Sequence, residues 1–254
     1  MPILRLNFEN VLSYSYIEHM QQYILVTGGT KGIGRAVIEQ FAKAGFHIIT
    51  CSRNEKDLKK LKLEIEERYT FSKVFYQEAD LSDMGSLKNF INYVKGLKIR
   101  IEVIVNNSGL FIPGKVHEED DAALPMMINT NLYSAYYITK AFVLDMKKRR
   151  SGHIFNMCST ASITPYTNGG SYCISKYALL GMSKVLREEM KEHGVRVTAI
   201  LPGATLTASW EGVDLPPERF MRADDVAMAI YGAYNMSPNS VVEEILIRPQ
   251  LGDI

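Results

Sequence analysis

Two rhythms of apolar and polar residues alternate along most of this chain. Short apolar runs at residues 23–26, 47–51, 101–105, 154–158, 195–201 and 244–247 have the length and continuity of strands buried on both faces. A further strand begins at 74–76 and is expected to end at 79–81. Between these runs apolar residues recur at helical spacing: Ile33, Val37, Phe41 and Ala44; Leu58, Leu61 and Ile65; Leu87, Ile91 and Val94; then Ile174, Ala178, Leu179, Met182, Val185 and Leu186. A longer helical pattern passes through Asn131, Tyr136, Ala141 and Leu144, and a last helix is expected from about residue 222 to 234. Gly45 is placed to end the first helix, Asn54 to cap the second and Ser82 to open the third. Strands and helices alternate without linker, repeat or low-complexity tract. That order predicts a single α/β domain over residues 22–254, a doubly wound parallel sheet with helices on both faces and a ligand crevice at the strand carboxyl ends. Residues 1–21 show no clear period and are read as an extension to which the pattern assigns no structure. The first strand follows Met20 almost at once, so residues 1–19 are either an upstream reading of the start or a small added strand or arm.

Polar residues that break the pattern gather at strand ends. Thr27-Gly28-Gly29-Thr30-Lys31-Gly32-Ile33-Gly34 joins the first strand to the first helix. Glycines there permit a tight turn and close backbone approach, and the helix N-terminus can seat a pyrophosphate, as in a Rossmann-type dinucleotide site. The spacing Gly-x-x-x-Gly-x-Gly differs from the commoner Gly-x-Gly-x-x-Gly, and no Lys-Ser or Lys-Thr follows, which excludes a Walker loop. Taken alone, such a turn also suits any tight strand–helix connection. The second strand ends in Ser52-Arg53-Asn54, where an adenosine ribose would lie. An acid there would bond the 2′-hydroxyl and repel a 2′-phosphate. Arg53, with Lys31 nearby, instead suits that dianion and predicts NADP(H); a solvated arginine at a helix start is the competing reading.

Ser159 follows the fifth apolar run, and a loop with Pro165, Asn168, Gly169 and Gly170 leads from it to the helix that Ser171 and Tyr172 open. Tyr172 and Lys176 share one face of that helix, so the ammonium can lie beside the phenol. A free phenol has a pKa of about 10, and an adjacent cation lowers it towards the range useful for proton transfer. Ser159 would hydrogen-bond the same substrate oxygen. Tyr-x-x-x-Lys also arises by chance on solvated helix faces, so its weight comes from the nucleotide turn elsewhere in the chain.

Composition narrows the classes. The chain has 254 residues, 46% apolar and 22% charged, and a net charge of +1, so no global field recruits nucleic acid or an anionic membrane. Lys147, Lys148, Arg149 and Arg150 end a helix, where the dipole favours cations, and read as structural. No apolar run reaches the roughly 18 residues of a membrane span. Cys51, Cys158 and Cys173 lack zinc or redox spacing, which points to a reducing, cytoplasmic setting. The histidines, at 19, 47, 117, 153 and 193, are scattered, and no metal is expected.

Jointly these residues resemble the short-chain dehydrogenase/reductase family from about Gln22 to the C-terminus. Residues 27–34 look like its cofactor turn, Asp80-Leu81 like its adenine contact, and Asn106-Asn107-Ser108-Gly109 like its Asn-Asn-Ala-Gly, with Ser108 replacing Ala. Asn131 falls at the catalytic Asn, and Ser159, Tyr172 and Lys176 complete the tetrad. Pro202-Gly203, with Thr205 and Thr207, resembles the segment that contacts the nicotinamide amide. The resemblance implies an NADPH-dependent reduction of a ketone or aldehyde, reversible, with Tyr172 as general acid and Ser159 orienting the carbonyl oxygen. It further implies that Lys176 binds the nicotinamide ribose, that Asn131 holds a water leading to solvent, and that the chain forms a homodimer or homotetramer with the Tyr172 helix in one interface. The segment from Gly203 to Met221 is shorter than the lid of 3-oxoacyl-carrier-protein reductases, and residues 241–244 lack the usual glycine pair. Both features look more like carbonyl-reductase and sepiapterin-reductase-like members. A 3-oxoacyl thioester stays as an alternative substrate, and a non-catalytic dinucleotide sensor or scaffold as an alternative function. A sugar-nucleotide epimerase is disfavoured by the short C-terminal part.

Phe111, Tyr166 and Trp210 are the large side chains in the three loops that would line the substrate pocket, and Lys115 is the cation there. Charged substrates normally meet a matching charge, so an uncharged, moderately apolar carbonyl compound, aromatic or pterin-like, is expected.

Overall fold

The computed structural model describes residues 21–207, 212 and 214–254, so the expectations for residues 1–19 and for Trp210 lie outside the described residues. Seven parallel strands form one sheet in the order β3-β2-β1-β4-β5-β6-β7. They are β1 (Tyr23–Thr27), β2 (His47–Ser52), β3 (Val74–Glu78), β4 (Ile101–Asn106), β5 (His153–Met157), β6 (Arg196–Pro202) and β7 (Glu244–Ile247). Seven helices accompany them: α1 (Gly32–Lys43), α2 (Glu55–Arg68), α3 (Met84–Gly96), α4 (Ala123–Ile128), α5 (Ser134–Arg149), α6 (Gly170–Met190) and α7 (Ala223–Tyr234).

Continuous apolar strands are explained by cover on both faces. Ile24 and Val26 of β1 point into the core beneath α1 and α7, while Tyr23 and Leu25 point into the core beneath α3, α5 and α6. Phe41 of α1 is fully buried and meets the rings of Phe46, Tyr231 and Tyr234 at centroid separations of 5.1, 5.2 and 5.6 Å. Burying a side chain of that size contributes about 2–3 kcal/mol, and here it ties α1 to α7.

Caps set the helix starts. The Asn54 side chain accepts from Lys56 N and Asp57 N, at 2.9 and 3.2 Å, and opens α2 as expected. Two boundaries differ from the sequence reading. β3 stops at Glu78, because Asp80 turns the chain by accepting from Ser82 N and Ser82 Oγ at 2.9 and 2.7 Å. Ser82 is thereby occupied, and Asp83 caps α3 instead, accepting from Ser86 N at 2.7 Å. The long pattern through Asn131 is interrupted: α4 passes into a π-helical turn over Asn129–Tyr133, where Ser134 N–H reaches Asn129 O, before α5 begins. The extra residue turns Asn131 inward, and Tyr136 and Leu144 of the same pattern face outward. At the end of α5, Arg149 donates to Ile101 O and Arg150 to Glu192 O, so two of the four cations bind carbonyls within the fold.

Candidate active site

β1 and β4 are neighbours whose chains continue to opposite faces of the sheet, and a crevice opens between their carboxyl ends. Gly28 has φ +66°, and a Cβ on it would lie 2.9 Å from Ser108 Oγ. A Cβ on Gly34 would lie 2.4 Å from Gly28 O and 2.5 Å from Asn107 Nδ2, so only glycine lets the turn close. Asn107 stitches the turn to β4: its Nδ2 donates to Thr27 O at 2.8 Å and Gly28 O at 3.2 Å. Thr27 Oγ1 accepts from Asn107 N and Ser108 N, both at 2.9 Å. A Cβ on Gly32 would come within 3.0 Å of Thr207, which brings the segment after β6 over the same turn. That segment is pinned where Gly203 N donates to Ile247 O at 2.8 Å and where Thr205 pairs with Met221. The glycine turn with Gly28, Gly32 and Gly34 is thus brought against Asn107 and Thr207, and the α1 N-terminus that it opens is the kind of site that can seat a pyrophosphate.

At the far end Ser52 Oγ accepts from Asn54 N at 3.2 Å, and Arg53 is exposed. Lys31 is exposed too and lies 3.6 Å from Asp57 in the first turn of α2, an acid that the sequence reading missed. The Ser82 hydroxyl foremost, and the Arg53 charge in addition, hold the Asp80 carboxyl below its usual range against the effect of burial. Leu81 turns its side chain into the core beneath α3, so only its main chain faces the crevice. Two cations on an open rim suit a 2′-phosphate.

Ser159 is buried at the end of β5 and caps a single 3-10 turn, its Oγ accepting from Ala161 N at 3.1 Å. Tyr172 projects from the first turn of α6. Burial raises its phenol above the ordinary value, and a hydrogen bond with the Ser159 side chain opposes that rise. Lys176, one turn further, is 3% exposed, donates to Met157 O at 2.7 Å and sits over the Tyr172 ring at 5.7 Å from its centroid. Burial pushes its ammonium down to about 8, with Cys158 acting the other way. Burial is thus the leading influence at the phenol, and the Ser159 hydrogen bond opposes it, with the Lys176 ammonium lying over the ring.

Asn131 is buried and fully engaged with its neighbours. Its Oδ1 accepts from Leu110 N at 2.6 Å, and its Nδ2 donates to Leu110 O and Ser175 Oγ at 2.9 and 2.8 Å. Ser175 Oγ in turn reaches Tyr172 O at 2.8 Å. With both amide hydrogens committed, this side chain braces the loop after β4 against α6. Ser175 and Thr27 carried no sequence signal, because a serine or threonine beside a motif is too common to single out.

Phe111 packs edge-on against Tyr172, with centroids 5.0 Å apart and planes at 78°. Tyr166 lies near it; burial foremost, with Tyr172 adding, raises its phenol. Lys115 is paired with Glu118 at 3.0 Å. The described wall near the Tyr172 hydroxyl is therefore aromatic. All three cysteines are free and buried, and burial pushes Cys51 up to about 12 and Cys158 up to about 11, values at which little thiolate forms. Among the described residues no His, Cys, Asp or Glu side chains cluster as metal ligands, and no helix is long and apolar enough to cross a membrane.

A family model described as short chain dehydrogenase matches residues 22–216. The sepiapterin reductase of Chlorobaculum tepidum is 32% identical over 243 residues, covering 92% of this chain and 99% of its own length. The alcohol dehydrogenase of the archaeon Thermococcus sibiricus, complexed with 5-hydroxy-NADP, superposes with a TM-score of 0.82 at 25% identity, covering 91% of this chain and 97% of that one. A metagenomic short-chain oxidoreductase in complex with NADP gives 0.79 at 27% identity, covering 91% and 98%. Likeness in sequence and in fold extends over most of the chain, and the protein belongs to the short-chain dehydrogenase/reductase family of oxidoreductases.

Proposed function

We propose that the protein is an NADP(H)-dependent carbonyl reductase that interconverts a neutral ketone or aldehyde and its alcohol. The observation that carries this reading is the grouping of Ser159, Tyr172 and Lys176 at one end of the glycine-lined crevice, against the ring of Phe111. NADP(H) is supported by the exposed Lys31 and Arg53 and by the NADP complexes of the two structural relatives. The chemistry a bound NADPH supplies is a hydride for the carbonyl carbon. Tyr172 gives its proton to the carbonyl oxygen, and a phenol kept protonated by burial is already in the acid form that reduction needs. Ser159 donates to the same oxygen as negative charge develops there. Lys176 would hold the nicotinamide ribose when the cofactor is bound, and its charge would steady the phenolate left behind. Asn131 keeps α6 and the loop after β4 in register through Leu110 and Ser175.

The aromatic wall and the pairing of Lys115 with Glu118 support an uncharged, aromatic or pterin-like substrate, and the relative named sepiapterin reductase adds weight to the pterin arm. The buried free cysteines support a reducing, cytoplasmic setting. Tyr172→Phe tests the mechanism. NADPH titration should change by no more than about twofold, while reduction of any accepted carbonyl falls about 10²–10⁴-fold, the scale of a lost general acid. Turnover equal to the unsubstituted protein would end this reading. An NADPH-oxidation screen across neutral aromatic ketones, diketones, pterins, sugars and 3-oxoacyl thioesters tests the substrate class; a preference for sugars or thioesters would refute it alone.

A further inference from the structure

The loop that leaves β4 carries Phe111 and then runs onto the start of α6. Gly114 N–H donates to Asn168 O and Gly170 N–H to Gly114 O, each at 3.0 Å, and Gly114 pairs with Gly169 as a short parallel bridge. Glu119, further along the same loop, accepts from Ser171 N through Oε2 at 3.3 Å and from the Ser171 hydroxyl through Oε1. The residue at the N-cap of α6 is Gly169, which has no side chain to cap with. Free N–H groups and the positive end of the dipole are left there, and a carboxylate satisfies both. Here it comes from 52 residues earlier in the chain. The fit depends on two glycines. A Cβ on Gly114 would lie 2.8 Å from Glu119 Cβ, and a Cβ on Gly170 would lie 2.8 Å from Gly114 O and 3.0 Å from Glu119 Oε2. Main-chain bridge, carboxylate and glycine spacing all serve one contact.

Tyr172 immediately follows Ser171, and Phe111 of the latched loop packs on the Tyr172 ring. We infer that Glu119 is a positioning residue for the reaction, a latch that fixes the first turn of α6, and with it Tyr172, against the loop forming one wall of the substrate site. The inference rests on the reading of Tyr172 as proton donor. Loosening the latch lets donor and wall drift relative to each other, and a displacement of an ångström at reacting groups lowers rates steeply. The glycine turn after β1, its bonds to Asn107 and Ser108 at the end of β4, and the segment after β6 make no contact with Glu119.

Three variants test the latch. Glu119→Ala should lower kcat for carbonyl reduction about ten- to a hundredfold while the NADPH dissociation constant stays within about twofold. Glu119→Gln keeps an acceptor for Ser171 and should recover most of that loss. Gly170→Ala keeps Glu119 in the chain but drives a methyl against Gly114 O and the Glu119 carboxylate, and should lower kcat in the same direction. Hydrogen exchange reads the contact without turnover: in Glu119→Ala, peptides covering 110–116 and 168–175 should exchange faster together, with the other helices unchanged. A wild-type kcat in Glu119→Ala, no recovery in Glu119→Gln, or faster exchange in only one of the two segments would overturn the inference. If the unsubstituted protein reduces no carbonyl in the screen, the proposed function falls and the exchange result alone decides the latch.

Discussion

Lys176 is buried with one carbonyl as partner, and its ammonium is held at about 8 where an unfolded chain would have about 10.4. Between those values the unfolded state binds more protons, so this group makes stability rise with pH from about 8 to about 10.4. Below about 8 both states are protonated and the whole penalty, roughly 3 kcal/mol, is in force. Lys176→Met should therefore raise the melting temperature at pH 7 by several degrees, at about 2–4 °C per kcal/mol, less the lost Met157 bond. The gain should shrink as pH climbs through 8 to 10, and turnover should vanish. A variant less stable than its parent at pH 7 would show that the buried charge carries no such penalty. A destabilised lysine retained beside the proposed proton donor has the form of stability given up for activity. The tetrad members were legible as residues, because Ser159, Tyr172 and Lys176 follow a strand-end and helix spacing that sequence displays. Their electrostatics were not, since desolvation depends on what else packs around them.

At the scale of elements, the proposed cofactor contacts lie at strand–helix junctions. Arg53 ends the β2 junction, directly before the Asn54 cap, so the helix start holds the cation at the mouth of the crevice. Arg53→Ala should raise the NADPH dissociation constant about ten- to a hundredfold, the scale of one charge-assisted hydrogen bond, and leave that for NADH almost unchanged. Titrations at one fixed ionic strength check this, because exposed charges are screened. A wild-type preference for NADH would show that Arg53 and Lys31 do not bind a phosphate. The caps at Asn54 and the glycine turn were readable because they are local chemistry. The shift of the α3 cap from Ser82 to Asp83 was not, for it turned on a competing bond between Asp80 and Ser82. The π-turn that aims Asn131 at Leu110 likewise leaves no mark in the hydrophobic period.

Over the whole molecule, Tyr133 of the π-turn and Tyr136, Tyr137 and Leu144 of α5 are exposed, as are Ile174, Tyr177 and Val185 of α6. Apolar stripes on two helices of one face are the kind of surface a second copy covers, which supports the proposed homodimer or homotetramer with α6 in an interface. Leu144→Glu with Val185→Glu should lower the mass seen by light scattering to that of one chain, whereas a monomeric parent protein would end the proposal. Ile174 and Val185, which recur at helical spacing with Leu179 and Leu186, are among these outward ones, because a helical period says where a helix runs and not which side meets the sheet. What the sequence determined by itself was whatever depends on near neighbours: strands buried on both faces, glycines where a turn needs them, a cap before a helix, a tyrosine and lysine one turn apart. Only the tertiary structure decided what depends on residues far apart in the chain. It set Glu119 on the start of α6 and Asn131 against Leu110, turned Lys176 to a carbonyl, and let burial outweigh the Ser159 hydrogen bond at Tyr172. Hydrogen bonds and desolvation act through space over a few ångströms, and the chain order that sequence records carries no measure of that distance.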